Sequence, residues 1–158
     1  MTSEQYNLCV DLYADRLYRF VRKNLQHQAD AEDVVQSAYE ILWRNHQQVA
    51  MESSRSYLFR VAYRLLLKAW RRQPQAELSD EMHLTYHEQP TGLKQALDLA
   101  LQTLPPVQKS VVLLRDYEGY SYAEIASIAG LSIAQVKVYL FRARKKLKDV
   151  LVSLKYVV

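Results

Sequence analysis

Across residues 121–148 the chain spaces serine, glycine and serine so that little fits except two helices and a sharp turn. Ser121 can cap a first helix, Glu124 three residues later can close a capping box, and Gly130 can adopt the left-handed conformation that ends it. Ser132 then caps a second helix. Ala126 is small where two helices must approach, and Val136 returns an apolar side chain to the first helix. These offsets predict a helix-turn-helix.

The second of these helices has two unlike faces. Ile133, Val136, Leu140, Ala143, Leu147 and Val150 recur at steps of three and four, a stripe that packs inward. Lys137, Phe141, Arg144 and Lys148 fall opposite, flanked by Arg142, Lys145 and Lys146. Base edges in the major groove offer acceptors and the phosphates carry charge, so a cationic outer face after such a turn points to duplex DNA. A solvated helical hairpin could carry the same charge, but it would not need the Ala126, Gly130 and Val136 spacing.

Three glycines and four prolines in 158 residues, beside 49% hydrophobic content, favour packed helices. No stretch alternates apolar and polar residues with β-branched enrichment, so an all-α fold is expected. The length suits one domain or two small ones. Charge is uneven along the chain: residues 1–72 hold 11 basic and 8 acidic side chains, residues 73–92 hold 4 acids and no base, and residues 93–158 hold 10 bases and 5 acids. Two basic blocks around an acidic connector suggest two nucleic-acid contacts joined by a segment that avoids phosphate. Cys9 stands alone, which excludes an intrachain disulfide and a cysteine-rich zinc site and suits a reducing cytoplasm. No run approaches 18 apolar residues and no basic, apolar leader opens the chain, so neither export nor membrane insertion is expected.

The first block reads as three helices. Residues 4–27 carry Tyr13, Leu17, Phe20, Val21 and Leu25 on one side. Asp30 is expected to cap the second, with Val34, Val35, Ala38, Ile41 and Leu42 buried and Asp33, Gln36, Ser37 and Glu40 left to a partner. Residues 45–54 lack an apolar period and read as a loop. The third helix, residues 55–72, holds six basic residues and no acid: Arg55, Arg60, Arg64, Lys68, Arg71 and Arg72. Phe59, Tyr63 and Trp70 adjoin them. Cations track a backbone while rings stack on unpaired bases, which suits single-stranded nucleic acid, although each ring taken singly is more often simply core.

Pro74, Pro90 and Gly92 punctuate residues 73–92, a flexible linker whose charges are Glu77, Asp80, Glu81 and Glu88. His83 and His87 sit four apart, but nothing near them completes a metal site. There is no phosphate loop, nucleophile elbow or paired-carboxylate constellation, so neither a cofactor nor an enzyme is expected. After Gly92 come a helix with Leu93, Ala96, Leu97, Ala100, Leu101 and Leu104 inward, a Pro105-Pro106 break, and a helix ending at Gly119.

Both blocks together resemble a bacterial RNA polymerase sigma factor of the extracytoplasmic-function (ECF) group. Ala31-Glu-Asp-Val-Val-Gln36 with Tyr39 and Trp43 resembles region 2.2, and residues 55–72 resemble the promoter-melting and −10-reading segments. Leu104-Pro105, the run from Leu113 through Arg-Asp-Tyr-Glu-Gly-Tyr-Ser-Tyr-Ala-Glu-Ile to Ala126, and Val136-Lys137 with Arg142-Ala-Arg-Lys-Lys-Leu147 resemble region 4. The resemblance implies a region 2-like domain over residues 1–72, a linker over 73–92 and a region 4-like domain over 93–158. It implies that Asp33 and Gln36, with Ser37 and Glu40 beside them, meet the β′ clamp helices of core polymerase. The loop between His46 and Ser56 would receive an unpaired −10 base, and Arg55, Arg60, Tyr63, Arg64, Lys68, Trp70 and Arg71 would hold the melted strand. Lys137, Val138, Phe141, Arg142, Arg144 and Lys145 would face the −35 element. Core RNA polymerase (its β′ clamp helices and β flap), promoter DNA and an anti-sigma protein are the implied partners. Four departures from the family pattern stand out: Ser37 where an acid is frequent, Arg64 and Lys68 where Asn and Asp are common, Ala134-Gln135 for a Gly-Thr pair, and Val138 for a small polar residue. The residues alone leave open a free-standing helix-turn-helix regulator of duplex DNA.

Overall fold

Thr2 opens the first helix: its hydroxyl accepts from the Gln5 amide while the Gln5 side chain accepts from Thr2, a complete capping box. In this computed structural model, which describes residues 1–72 and 92–155, that helix is α1 (Ser3–Asn24). Next come α2 (Gln28–Arg44), two short 3-10 turns (His46–Gln48 and Met51–Ser53) and α3 (Ser54–Arg72). The second half comprises α4 (Leu93–Gln102), α5 (Pro106–Val112) continued by a wide turn over Leu113–Tyr117, α6 (Tyr122–Ala129) and α7 (Ile133–Ser153). No strand occurs among the described residues. The fold is all-α, with two small helical domains and a helix-turn-helix in the second. The proposed linker, with its acidic residues and His83 and His87, lies outside the described residues apart from Gly92.

One start differs from expectation. α2 begins at Gln28 with His27 at the cap position and no side-chain cap bond, so Asp30 lies inside the first turn. There its carboxylate still faces the positive end of the helix dipole, the physical reason an acid suits either place. Leu93 and Ile133 are exposed rather than inward, because each occupies the first position of its helix, ahead of the turns that pack.

In the first domain Leu17, Phe20 and Val21 of α1 meet Leu42 of α2 and Leu58, Phe59 and Leu66 of α3. In the second, Val111 and Leu114 pack with Ile125 of α6 and Val136 and Leu140 of α7. A smaller cluster joins Ala96 and Ala100 of α4 to Val150 and Leu151 near the end of α7.

The two domains share a core, which their residue patterns do not announce. Phe59 sits 5.3 Å from Phe20 and 5.5 Å from Tyr120, so the aromatic packing of α3 continues into the second domain. Polar groups cross the same boundary. The Ser110 hydroxyl donates to Asn24 Oδ1 at 2.8 Å, both side chains being buried, and Asn24 Nδ2 donates to the Phe20 carbonyl. Lys23 pairs with Asp98 at 2.8 Å, and Arg55 donates to the Glu118 carbonyl at 2.7 Å. Buried polar groups need partners, so these bonds fix the register of an otherwise apolar contact.

Candidate nucleic-acid interface

The turn between α6 and α7 bends the chain by 99°, within the range of a helix-turn-helix. Its local chemistry is complete. Ser121 and Glu124 form one capping box, Ser132 and Gln135 another, and Gly130 takes φ 68° between them. Ile125, Ile128, Val136 and Leu140 bury the joint. With the joint filled, the opposite side of α7 is left to solvent: Lys137, Val138, Phe141, Arg142 and Lys145 are all exposed. Phe141 is 70% exposed, unusual for a large apolar ring in a folded domain.

Not every cation there is free. Arg144 makes two bonds to Asp116, Nε to Oδ2 at 3.1 Å and Nη2 to Oδ1 at 2.5 Å, and so is held against the wide turn. Lys137 Nζ lies 6.0 Å from the Tyr122 ring centre, and Arg115 sits 4.9 Å from that ring on its own account. A cleft of about 430 Å³ runs along this face between Tyr122, Leu140, Phe141, Lys145 and Lys148.

α3 divides along its length. Arg64, Lys68 and Arg71 are exposed, a basic strip at helical spacing. The others are drawn inward. Tyr63 is only 2% exposed, so the ring expected to meet unpaired bases is core in this arrangement. Burial raises its hydroxyl pKa first, and the nearby Tyr139 of α7 adds to the shift. Trp70 is half-buried, its ring centre 6.2 Å from that of Tyr63 in an edge-to-face pair and its indole N–H donating to the Asn24 carbonyl at 3.3 Å. Arg60 lies 5.5 Å from the Tyr57 ring, in a groove of about 270 Å³ that α3 forms with Glu124, Ser127 and Ile128 of α6.

Arg55 faces the second domain outright. Its guanidinium is 4.6 Å from the Tyr120 ring centre and 3.6 Å from Glu118 Oε2, which Arg16 approaches to 3.8 Å. Glu118 is 4% exposed. Burial pushes its carboxyl above the usual range, against the downward pull of Arg19, Arg16 and Arg55. Sequence reading gave Arg16, Asn24, Ser110 and Glu118 no role, and the nearest signal was the acid pair Asp116 and Glu118 just before Gly119.

On α2, Asp33, Gln36 and Glu40 are exposed and Ser37 is half-buried. Gln36 Nε2 donates to Glu40 at 3.4 Å, a long bond that leaves both reachable. Asp30, Asp33 and Ser37 line one wall of a groove of about 490 Å³, with Leu65, Lys68 and Arg72 of α3 on the other. Beyond it Trp43, 45% exposed, stacks on His46 at 4.3 Å and meets Tyr6 at 5.0 Å, so the loop after α2 starts from a fixed aromatic platform.

An all-helical pair of domains, one with a helix-turn-helix that leaves a basic face in solvent and the other with an exposed basic strip on α3, has the features of a nucleic-acid-binding protein. Residues 9–75 match Sigma-70 region 2 and residues 94–147 match Sigma-70, region 4. The chain is 31% identical over 147 residues to an RNA polymerase sigma-E factor of Streptomyces coelicolor, covering 88% of this chain and 81% of that one. It is 26% identical to the sigma factor SigV of Bacillus subtilis, covering 89% and 87%. It is also 29% identical to the ECF sigma factor SigE of Mycolicibacterium smegmatis, covering 88% of this chain but only 58% of that longer protein. Among solved structures, the fold is similar to RpoE of Bartonella quintana, in complex there with the anti-sigma factor NepR (TM-score 0.75, 24% identity, covering 92% and 96%). CnrH, solved with the cytosolic domain of CnrY, is also similar (TM-score 0.71, 23% identity, covering 94% and 88%).

The chain belongs to the RNA polymerase sigma factors of the ECF group. Members of that family are DNA-binding transcription-initiation factors that bind core RNA polymerase and direct it to promoters. Among the described residues no single helix is long and apolar enough to cross a membrane.

Proposed function

We propose a division of labour between the two domains and among their side chains. In the first domain, residues 1–72, Asp33, Gln36, Ser37 and Glu40 of α2 hold core polymerase. Arg64, Lys68 and Arg71 of α3 track the melted −10 strand. In the second domain, residues 93–158, α7 enters the major groove of the −35 element with Lys137, Val138, Phe141, Arg142 and Lys145. The observation that carries this reading is the outward face of α7: five exposed candidates on a helix whose opposite side is locked by a capped, 99° turn. RNA synthesis itself belongs to the polymerase, so this chain acts without catalysis. The site of action is the cytoplasm, where core enzyme and promoter DNA meet.

The packed arrangement of the domains differs from the one that engages both elements. Elements named −10 and −35 lie about 25 base steps apart, roughly 85 Å of duplex at about 3.4 Å per step. A globule of this chain's length has a radius of gyration of about 15 Å. The domains therefore separate on the promoter, which frees Arg55 and Arg60 from the second domain. Twenty residues, 73–92, can reach about 65–70 Å when extended, enough to allow it. An anti-sigma protein would act by holding the packed form; the similar RpoE structure contains such a protein, NepR.

Transcription with purified core polymerase and this chain, with start sites mapped, tests the reading. A set of initiated promoters sharing −10 and −35 sequences is expected. Failure to bind core, combined with tight operator binding by the isolated chain, would instead establish a free-standing regulator.

A further inference from the structure

Three residues on the outward face of α7 cannot make a side-chain hydrogen bond, and they form a line. Ala134, Val138 and Phe141 lie at i, i+4 and i+7, all exposed, and point away from Val136, Leu140 and Ala143 in the core. Val138 is 44% exposed and Phe141 70%. Lys137 and Lys148 flank the line on one side and Arg142 on the other, with Lys145 continuing it. The polar residue nearest its start, Gln135, is spent on its own cap, accepting from the Ser132 amide at 2.9 Å.

We propose that this strip reads thymine methyl groups, so that the −35 element of this protein carries thymines across about three to four successive base pairs. The proposal rests on the reading of α7 as the −35 reader and names what that helix recognises. The C5-methyl of thymine is the one apolar feature that base pairs present in the major groove, and alanine and phenylalanine side chains are suited to it. Seven residues of helix rise about 10.5 Å, close to three base steps of about 3.4 Å. The strip lies in the first two and a half turns of α7, toward the N-terminal end by which a recognition helix reaches base edges.

An apolar strip can also dock a protein, but its surroundings argue against that. Between Ile133 and Lys148 the helix carries six cations and no acid. Lysine is depleted at protein interfaces, whereas a duplex selects such a border.

The test uses holoenzyme assembled from core polymerase and the full chain, selecting DNA with a randomised −35 region. Thymine is expected to be enriched at neighbouring pairs. Replacing each enriched thymine by deoxyuridine removes only the methyl group and should weaken binding by about four-fold per methyl. In holoenzyme carrying Val138→Ser, at least one of those thymines should become indistinguishable from deoxyuridine; core binding by the variant reports that it has folded. Uracil binding as well as thymine at every selected position overturns the proposal, and so does full methyl sensitivity in Val138→Ser. Loss of a protein partner by that variant, with DNA selection unchanged, overturns it in favour of a docking surface. Core binding without any −35 selection overturns the reading of α7 as well, whereas methyl-blind selection overturns the proposal alone.

Discussion

α3 and α7 carry six cations each, yet they meet their surroundings differently. α7 keeps its outer face open along its first three turns, with Arg144 alone tied to an acid among its candidate contacts. α3 gives its first half to the second domain, through Arg55 on Glu118 and Phe59 on Tyr120, and keeps Arg64, Lys68 and Arg71 in solvent. Charge count and periodicity are alike in the two helices. What differs is whether a neighbouring domain claims the face, so a basic helix marks a nucleic-acid contact only after its tertiary neighbours are known.

The contrast is sharpest for two phenylalanines. Phe59→Ala removes a fully buried ring at the junction of both domains and should cost about 3–5 kcal/mol of stability. Phe141→Ala should change stability by no more than about 0.5 kcal/mol, since its ring is mostly in solvent. Denaturant unfolding of both variants measures the pair, and similar losses would mean that α7 is buried like α3.

Within α7, Arg142 and Arg144 make the same comparison on a smaller scale. Arg142 is exposed and makes no ion pair among the described residues, and Arg142→Ala should reduce discrimination at the −35 element by about 1–3 kcal/mol. Arg144→Ala should reduce it by less, because the guanidinium is already committed to Asp116. Competition binding with matched and mismatched −35 duplexes decides. A loss for Arg142→Ala that is equal on all sequences would assign that residue to phosphate only.

The features of the fold that were legible are those whose causes lie within four residues. Ser121 with Glu124, Ser132 with Gln135, and Gly130 define their helix ends by local hydrogen bonds and backbone freedom, whatever the rest of the chain does. The Thr2 and Gln5 box is written in the same local code. The start of α2 carried no such signal, since His27 makes no cap bond. What local pattern could not give is the domain contact. Asn24 and Ser110 are 86 positions apart and polar, and nothing in either neighbourhood says that they bury against each other. Tyr63 shows the same limit at the candidate site: helical spacing beside cations fits a stacking platform and a core ring alike, and only packing separates them.

Ser110→Ala probes the domain contact with little disturbance of shape. It leaves Asn24 Oδ1 buried without that donor, which should cost about 1–3 kcal/mol, carried by the packed form rather than by either domain's own core. A fluorophore pair, one on each domain, should report a larger open fraction. Binding of a melted −10 strand should strengthen together with it, because Arg55 is then released. Opening without stronger strand binding would break the proposed link between the packed form and the concealed half of α3.

Glu118 gives the smallest and most specific effect. Burial raises its carboxyl above the value it has in the unfolded chain, and the three arginines around it offset that only in part. In the pH interval between the two values the packed form binds more protons than the unfolded chain, so the stability of the domain contact falls as pH rises through it. Above the interval the carboxylate stays ionised in the packed form at a standing cost. Glu118→Gln keeps the shape without the charge. The variant should therefore lose this part of the pH slope and leave the packed form no less stable at neutral pH. The same fluorophore pair, titrated upward from the carboxylate range, reads both. A contact that instead strengthens with rising pH, or that falls apart in Glu118→Gln at neutral pH, would show that Arg16, Arg19 and Arg55 outweigh burial. Glu118 would then be the anion that holds the basic half of α3 in place.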